Sequence, residues 1–109
     1  IKRVRTADGE PIFEENIFVP FDAYRELLTA DLEDKSIFAE VERVGGTPIV
    51  SVGYRTVEAV RANTEQAAEL GIAPHDPLLN LRAGFMGPNG EPVLMGKQYY
   101  VGSRYVMVM

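Results

Sequence analysis

The chain has 109 residues, of which 46% are hydrophobic and 25% charged, with 16 acidic and 11 basic side chains for a net charge of −5. That length supports one domain around one core, and that composition belongs to a folded globular chain, not a disordered one. The acidic balance and the lack of any Lys/Arg cluster argue against duplex binding by this segment, because DNA binders neutralise phosphates with clustered cations.

Residues 1–19 read as a β-hairpin. Ile1, Arg3 and Arg5 alternate with Lys2, Val4 and Thr6, and Ala7-Asp8-Gly9 offers a three-residue turn with Gly9 left-handed. Strand character resumes at Pro11 and continues to Val19. Pro20 ends it, and a short helical stretch is expected around Asp22–Leu28. Ser36 is a natural N-cap for the next helix, with an apolar stripe of Ile37, Phe38, Val41 and Val44 and a stop at Gly45-Gly46. Pro48–Val60 reads as one long strand. A third helix is predicted over Thr64–Leu70, with Asn63 and Gln66 as a capping pair and Gly71 as its stop. A turn at Pro74–Pro77, a strand at Leu78–Met86, the turn Pro88-Asn89-Gly90 and a strand at Glu91–Tyr100 follow. A last strand is expected over Arg104–Met109. Strands and helices do not alternate regularly, which predicts an α+β fold with a mainly antiparallel sheet flanked by helices.

Two stretches match without gaps when Gly9 is laid on Gly90: GEPIFEENIFVPFDAY and GEPVLMGKQYYVGSRY. The plainer reading is two hairpins with similar turn chemistry. If the repeat is genuine, Arg3 and Arg5 fall on Gly84 and Met86, and Glu14 and Glu15 on Met95 and Gly96. The charged residues then belong to what the first copy does alone. The helix and turn that precede the second copy would also have counterparts upstream of Ile1, so the domain is expected to extend beyond this N-terminus.

Arg3 and Arg5 are two apart on a strand and share a face. The three-residue turn places Arg5 opposite Pro11, Arg3 opposite Phe13 and Ile1 opposite Glu15, with Glu15 on the arginine face. Two guanidinium groups suit a phosphate or carboxylate through forked hydrogen bonds. The alternative is a solvated strand face with a surface ion pair of little worth. Ser36 is either a cap or part of an anion-binding helix start. Tyr54, Tyr99, Tyr100 and Tyr105 read first as strand residues packed in the core, and His75 as a surface residue. Cysteine is absent, so disulfides and thiolate metal sites are excluded, and a lone histidine cannot form a His-pair zinc site. The acidic residues Asp31, Glu33 and Asp34 read as a solvated inter-helix segment, not a metal site. No nucleophile–base–orienter set and no glycine-rich phosphate loop is present. No metal or cofactor is expected. No apolar run nears the roughly 20 residues of a membrane span. No secretory signal is visible, and the expected location is cytoplasmic.

Six stretches in order, IKRVRTADGEPI, the VP before the first helix, DLEDKSIFAEV, VEAVRANTEQAAELGI, DPLLNLRAGF and NGEPVLMGKQYYVGSRY, resemble the UTRA domain. This is the effector-binding domain of the histidine-utilisation-repressor subfamily of GntR transcription regulators. The resemblance implies a chorismate-lyase-like fold, an upstream winged-helix DNA-binding domain, homodimers, and DNA affinity altered by a small effector. In sugar-phosphate-sensing members, the two strand arginines match Arg3 and Arg5, and a glutamate on the next strand matches Glu15. The helix-opening serine matches Ser36, the aromatic two residues on matches Phe38, and a hairpin tyrosine matches Tyr100. Leu94 stands where a pocket glutamate is common, and Ser103 where an aspartate is usual. The first departure removes a hydroxyl-binding carboxylate.

The combined expectation is a ligand-sensing domain of a bacterial repressor or related regulator, not an enzyme. Its effector would be small and anionic, bearing phosphate or carboxylate, and held by Arg3, Arg5, Glu15, Ser36, Phe38 and Tyr100. DNA would be contacted only through the upstream domain, and no membrane would be involved. The alternatives are a chorismate-lyase-like enzyme and a pure dimerisation module.

Overall fold

A computed structural model describes residues 1–33 and 35–108. Five strands, β1 (Lys2–Ala7), β2 (Glu10–Phe18), β3 (Ser51–Arg61), β4 (Pro77–Met86) and β5 (Pro92–Val101), form one sheet in the order β1-β2-β5-β4-β3. Every neighbouring pair is antiparallel. The fold is α+β, as the irregular order of elements predicted.

Two helices lie on opposite faces of this sheet. The first, α1 (Ile37–Gly45), starts at Ser36, whose Oγ accepts from the Ala39 N–H at 3.3 Å, and ends at left-handed Gly46. Its Ile37 and Val41 join Ile17, Val93 and Leu94 in the larger core, with Tyr24 and Leu27 from a 3-10 turn at Arg25–Leu28. Burying side chains of this size contributes about 1.5–3 kcal/mol each. The second, α2 (Thr64–Leu70), has a complete capping box: the Asn63 side chain accepts from Gln66 N–H and the Gln66 side chain from Asn63 N–H. Its Ala67 and Leu70 pack on Leu78, Tyr99 and Val101 from the other face.

The repeat is visible in the sheet. Strands β2 and β5 lie side by side, and Asn16 pairs with Lys97, its own counterpart in the second copy. Glu14 pairs with Tyr99, and Phe18 with Met95, so the counterparts exchange across a local twofold axis normal to the sheet. Both hairpins also carry a bulge at the same place. The ladder skips Ile12 in one and Val93 in the other.

Several expectations are corrected. The first turn has two residues, not three, because Asp8 joins Gly9 in the left-handed region, at φ 53° and 78°, as a tight hairpin turn requires. With the bulge, Arg3 therefore sits opposite Glu15 and Arg5 opposite Phe13. The shift is by two residues, so each side chain keeps its face. The second hairpin has a longer loop, so the gapless alignment is off by one in the first strand: Arg3 and Arg5 correspond to Ala83 and Phe85.

The strand expected at Arg104–Met109 does not form over the described residues, and Met109 lies outside them. Arg104 instead pairs with Glu10 at 2.6 Å and donates to the carbonyls of Pro11 and Leu70 at 3.0 and 2.8 Å. These ties hold the segment across the chain ends of β2 and α2, off the sheet ladder. Tyr105 is therefore not a strand residue. The long strand begins at Ser51, not Pro48; Pro48 has no N–H to give a ladder, and the Ile49 N–H goes to the Glu42 carboxylate at 2.8 Å. Asp34 also lies outside the described residues, so its part in the acidic segment is not placed. Among the described residues, no group of His, Asp or Glu side chains is arranged to hold a metal ion.

A cleft beneath the first helix

The face that carries α1 holds a cleft of about 490 Å³. Its floor is a patch of sheet in which Gln98, Leu81 and Val57 form one cross-strand row, which Glu15 continues beyond the cleft, and Ile17, Gly96, Ala83 and Arg55 form the next. Phe38 of α1 walls one end and meets Phe85 edge-on at 4.7 Å. Tyr105 and Met107 wall the other. Gly96 and Ala83 keep the floor low, because neither side chain rises from it. The lining is mostly apolar, with Gln98, Arg55 and Arg82 among its polar residues, a usual make-up for a small-molecule site.

The six residues singled out from sequence are not gathered in one place. Arg3 and Glu15 form one unit. Arg3 Nε and Nη2 donate to Glu15 Oε1 at 3.3 and 2.8 Å, and Nη1 donates to the carbonyls of Leu32 and Lys35 at 3.0 and 2.9 Å. The side chains are only 14% and 9% exposed. This is neither the solvated face nor an open anion fork. Four of the five guanidinium N–H groups are engaged, and they fasten the segment leading into the Ser36 cap. Arg5 lies on the same face, half-buried, opposite Phe13. None of its guanidinium nitrogens has a hydrogen-bond partner among the described residues. Phe38 alone of the six lines the cleft.

Tyr100 is buried and stacked between Phe13 and Tyr105, with ring centroids 4.5 and 4.1 Å away. Its hydroxyl donates to Gln98 Oε1 at 3.1 Å, one step from the cleft. Burial, aided by Tyr105 and Glu15 nearby, pushes its phenol up to about 12. Leu94 is 4% exposed in the core under α1 and does not line the cleft. Gln98 and Arg55 were not singled out from sequence. Gln98 had a readable signal, since it is two residues from Tyr100 on the same strand face. Arg55 had none, because its place over the cleft depends on the β3–β4 register.

The UTRA domain model matches residues 1–106. The HTH-type transcriptional repressor NagR of Bacillus subtilis (strain 168) is 33% identical over 108 residues, covering 99% of this chain and 44% of that protein. The chain belongs to the UTRA domain family of GntR-type transcription regulators, and it spans under half the length of this curated relative. A GntR-family transcriptional regulator from Enterococcus faecalis V583 is 27% identical, with a TM-score of 0.83 over 99% of this chain and 76% of that one. The effector domain of PhnF from Mycobacterium smegmatis, 24% identical, shares the fold with a TM-score of 0.84 over 99% of this chain and 67% of that one. NagR and the Enterococcus faecalis protein are transcription regulators. No helix among the described residues is long and apolar enough to cross a membrane.

Proposed function

We propose that this chain senses a small anionic effector on the sheet face beneath α1, its anion at Arg5 and the Ser36 helix start and its remainder reaching into the cleft. The binding would alter DNA affinity of a cytoplasmic homodimer through a winged-helix domain upstream of Ile1, with no catalytic turnover. The observation that supports this reading is the Arg3 cluster. One side chain joins the sheet face of the cleft, through Glu15, to the carbonyls that lead into α1. A phosphate or carboxylate near Arg5 and the Ser36 helix start would draw on Arg3 as well. It would thereby bias the position of the segment before α1. A ligand shifts such an equilibrium only by its differential affinity for the two positions. Arg5, with all its guanidinium donors uncommitted, supplies the first charge-assisted contact.

Calorimetry of the full-length protein against sugar phosphates, amino acids and carboxylates tests this. One anionic class should bind, and Arg5→Ala should weaken it by about 10-fold or more, the loss expected for a charged hydrogen bond, with the melting temperature unchanged. Unchanged affinity in Arg5→Ala, or binding only by uncharged compounds, overturns the site.

A further inference from the structure

The polar residues of the cleft differ in what they can give and take. Arg55 and Arg82 carry guanidinium groups, which donate and cannot accept. Glu15 continues the Gln98 row beyond the cleft, and its Oε1 takes two bonds from Arg3 at 3.3 and 2.8 Å. The Tyr105 hydroxyl belongs to an end wall. On the floor itself, Gln98 is the one side chain among the described residues with both a donor and an acceptor. The way its amide faces decides what the floor can recognise.

That direction is set from behind. The Tyr100 hydroxyl donates to Gln98 Oε1 at 3.1 Å. Tyr100 lies two residues further along β5, on the same face of the sheet, with its ring clamped between Phe13 and Tyr105. The side chain is buried, so its proton needs an acceptor. Burial also pushes the phenol up to about 12, which keeps that proton in place at neutral pH. Turning the amide round would set Nε2 against the hydroxyl and leave the phenol proton unmatched. Oε1 therefore stays turned to Tyr100, and Nε2 is left without a partner among the described residues, beside the cleft. Around it the floor is low and apolar: Leu81 and Val57 continue the row, and Gly96 and Ala83 lie in the next.

We propose that Gln98 is the specificity-determining residue of the cleft and Tyr100 its positioning residue. Together they select an anion whose apolar body carries a carbonyl oxygen, as in an oxo acid, over one that carries a hydroxyl at the same place. The inference rests on the effector site proposed above and adds the class of the ligand's body. A carbonyl oxygen only accepts, so the Gln98 N–H groups meet its whole requirement. A hydroxyl can accept from Nε2 as well, but its own proton then lies over Leu81, Val57, Gly96 and Ala83 with no side chain to take it. The selection comes from that unmatched proton, not from a stronger bond to the carbonyl.

Calorimetry of the full-length protein with matched pairs of compounds tests it. The probes are aliphatic and aromatic oxo carboxylates with the carbonyl at successive positions from the carboxylate, and the corresponding oxo alkyl phosphates. Each is measured beside the hydroxy compound of the same skeleton. In at least one pair the oxo member should bind about 10-fold more tightly, the penalty for burying a hydroxyl proton without an acceptor. Gln98→Leu should bring that pair to parity. Tyr100→Phe, which lets the amide turn, should narrow the gap by tightening the hydroxy member, a gain that mere loss of packing would not produce. Arg5→Ala should weaken both members alike and keep their ratio. Equal binding of the two members, preference for the hydroxy member, or a ratio that Gln98→Leu or Tyr100→Phe leaves unmoved overturns the proposal while the anionic site stands. So does binding by sugar phosphates alone. Binding by no anion of any kind overturns both. If thermal melting shows that Gln98→Leu impairs folding, the ratio in Tyr100→Phe decides.

Discussion

The two hairpins share a left-handed turn glycine and a bulge at Ile12 or Val93, yet they hold different pairs at matched positions. Where the first places Arg3 opposite Glu15, the second places Ala83 opposite Gly96. The ion pair reaches up from the sheet and fastens the segment before α1. The small pair leaves the sheet low, and the cleft lies over it. One supersecondary unit, used twice, thus supplies the strut and the space. The turn and bulge set the backbone path in both copies, and the paired side chains decide what stands on it.

Removing the strut is the largest break in that comparison. Arg3→Ala leaves the Glu15 carboxylate, 9% exposed in the intact pair, without its cation, and releases the carbonyls of Leu32 and Lys35. Breaking a buried pair from one side costs about 3 kcal/mol or more. Urea denaturation should show that loss, and hydrogen exchange should rise in the first turn of α1. A stability change below about 1 kcal/mol would mean that the pair is solvated in solution and that the two hairpins differ less than their side chains suggest.

Filling the space is the second. A Cβ at Gly96 would sit 3.5 Å from Ile17 Cδ1 and 4.0 Å from Phe85, ordinary contact distances. Gly96→Ala should therefore fold, with stability changed by less than about 1 kcal/mol, since alanine also relieves the entropic cost of glycine in a strand. The methyl group rises from the cleft floor. If the effector lies there, its affinity should fall about 10-fold by calorimetry, the worth of one misplaced methyl in a fitted pocket. Unchanged affinity would move the ligand off this floor.

Local signals carried most of this architecture. The capping box at Asn63 and Gln66 and the glycine stop at Gly71 bound α2 at both ends, and the Ser36 cap with its apolar stripe bounds α1. What depended on distant partners was not legible. The path after Val101 is set by Arg104 reaching Glu10 and the end of α2, residues far away in sequence. The hairpin register turned on whether Asp8 would share the left-handed region with Gly9, which the residue type permits without requiring. The arginine face survived that error because the slip was even. The cleft itself was hidden, since Phe38, Arg55, Gln98 and Tyr105 come together only when four separate elements are in place. Arg3 was readable as a cation on the right face. Its engagement with the main-chain carbonyls of Leu32 and Lys35, on a different element, was not.

Tyr100 gives the smallest and most conditional difference between the hairpins. Its counterpart in the first copy is Val19, a purely apolar side chain, so only the second hairpin buries an ionisable group at this place. The Tyr100 phenol is held up to about 12 from an ordinary 10, first by burial and then by the charges of Tyr105 and Glu15. The folded chain thus keeps its proton over a range in which the unfolded chain loses it. Stability from this source is fully present below pH 10 and is lost as pH rises from 10 towards 12. Nothing changes at neutral pH. Ultraviolet difference titration should show one tyrosine ionising well after the exposed ones, and Tyr100→Phe should abolish that late step. The same variant removes the hydrogen bond to Gln98 Oε1. That frees the Gln98 carbonyl beside the cleft without altering the ring stack between Phe13 and Tyr105. If effector affinity shifts in Tyr100→Phe while the melting temperature at neutral pH stays within a few degrees, the second hairpin contributes polar orientation to the ligand as well as space. If affinity is unmoved, its contribution is the low floor at Ala83 and Gly96.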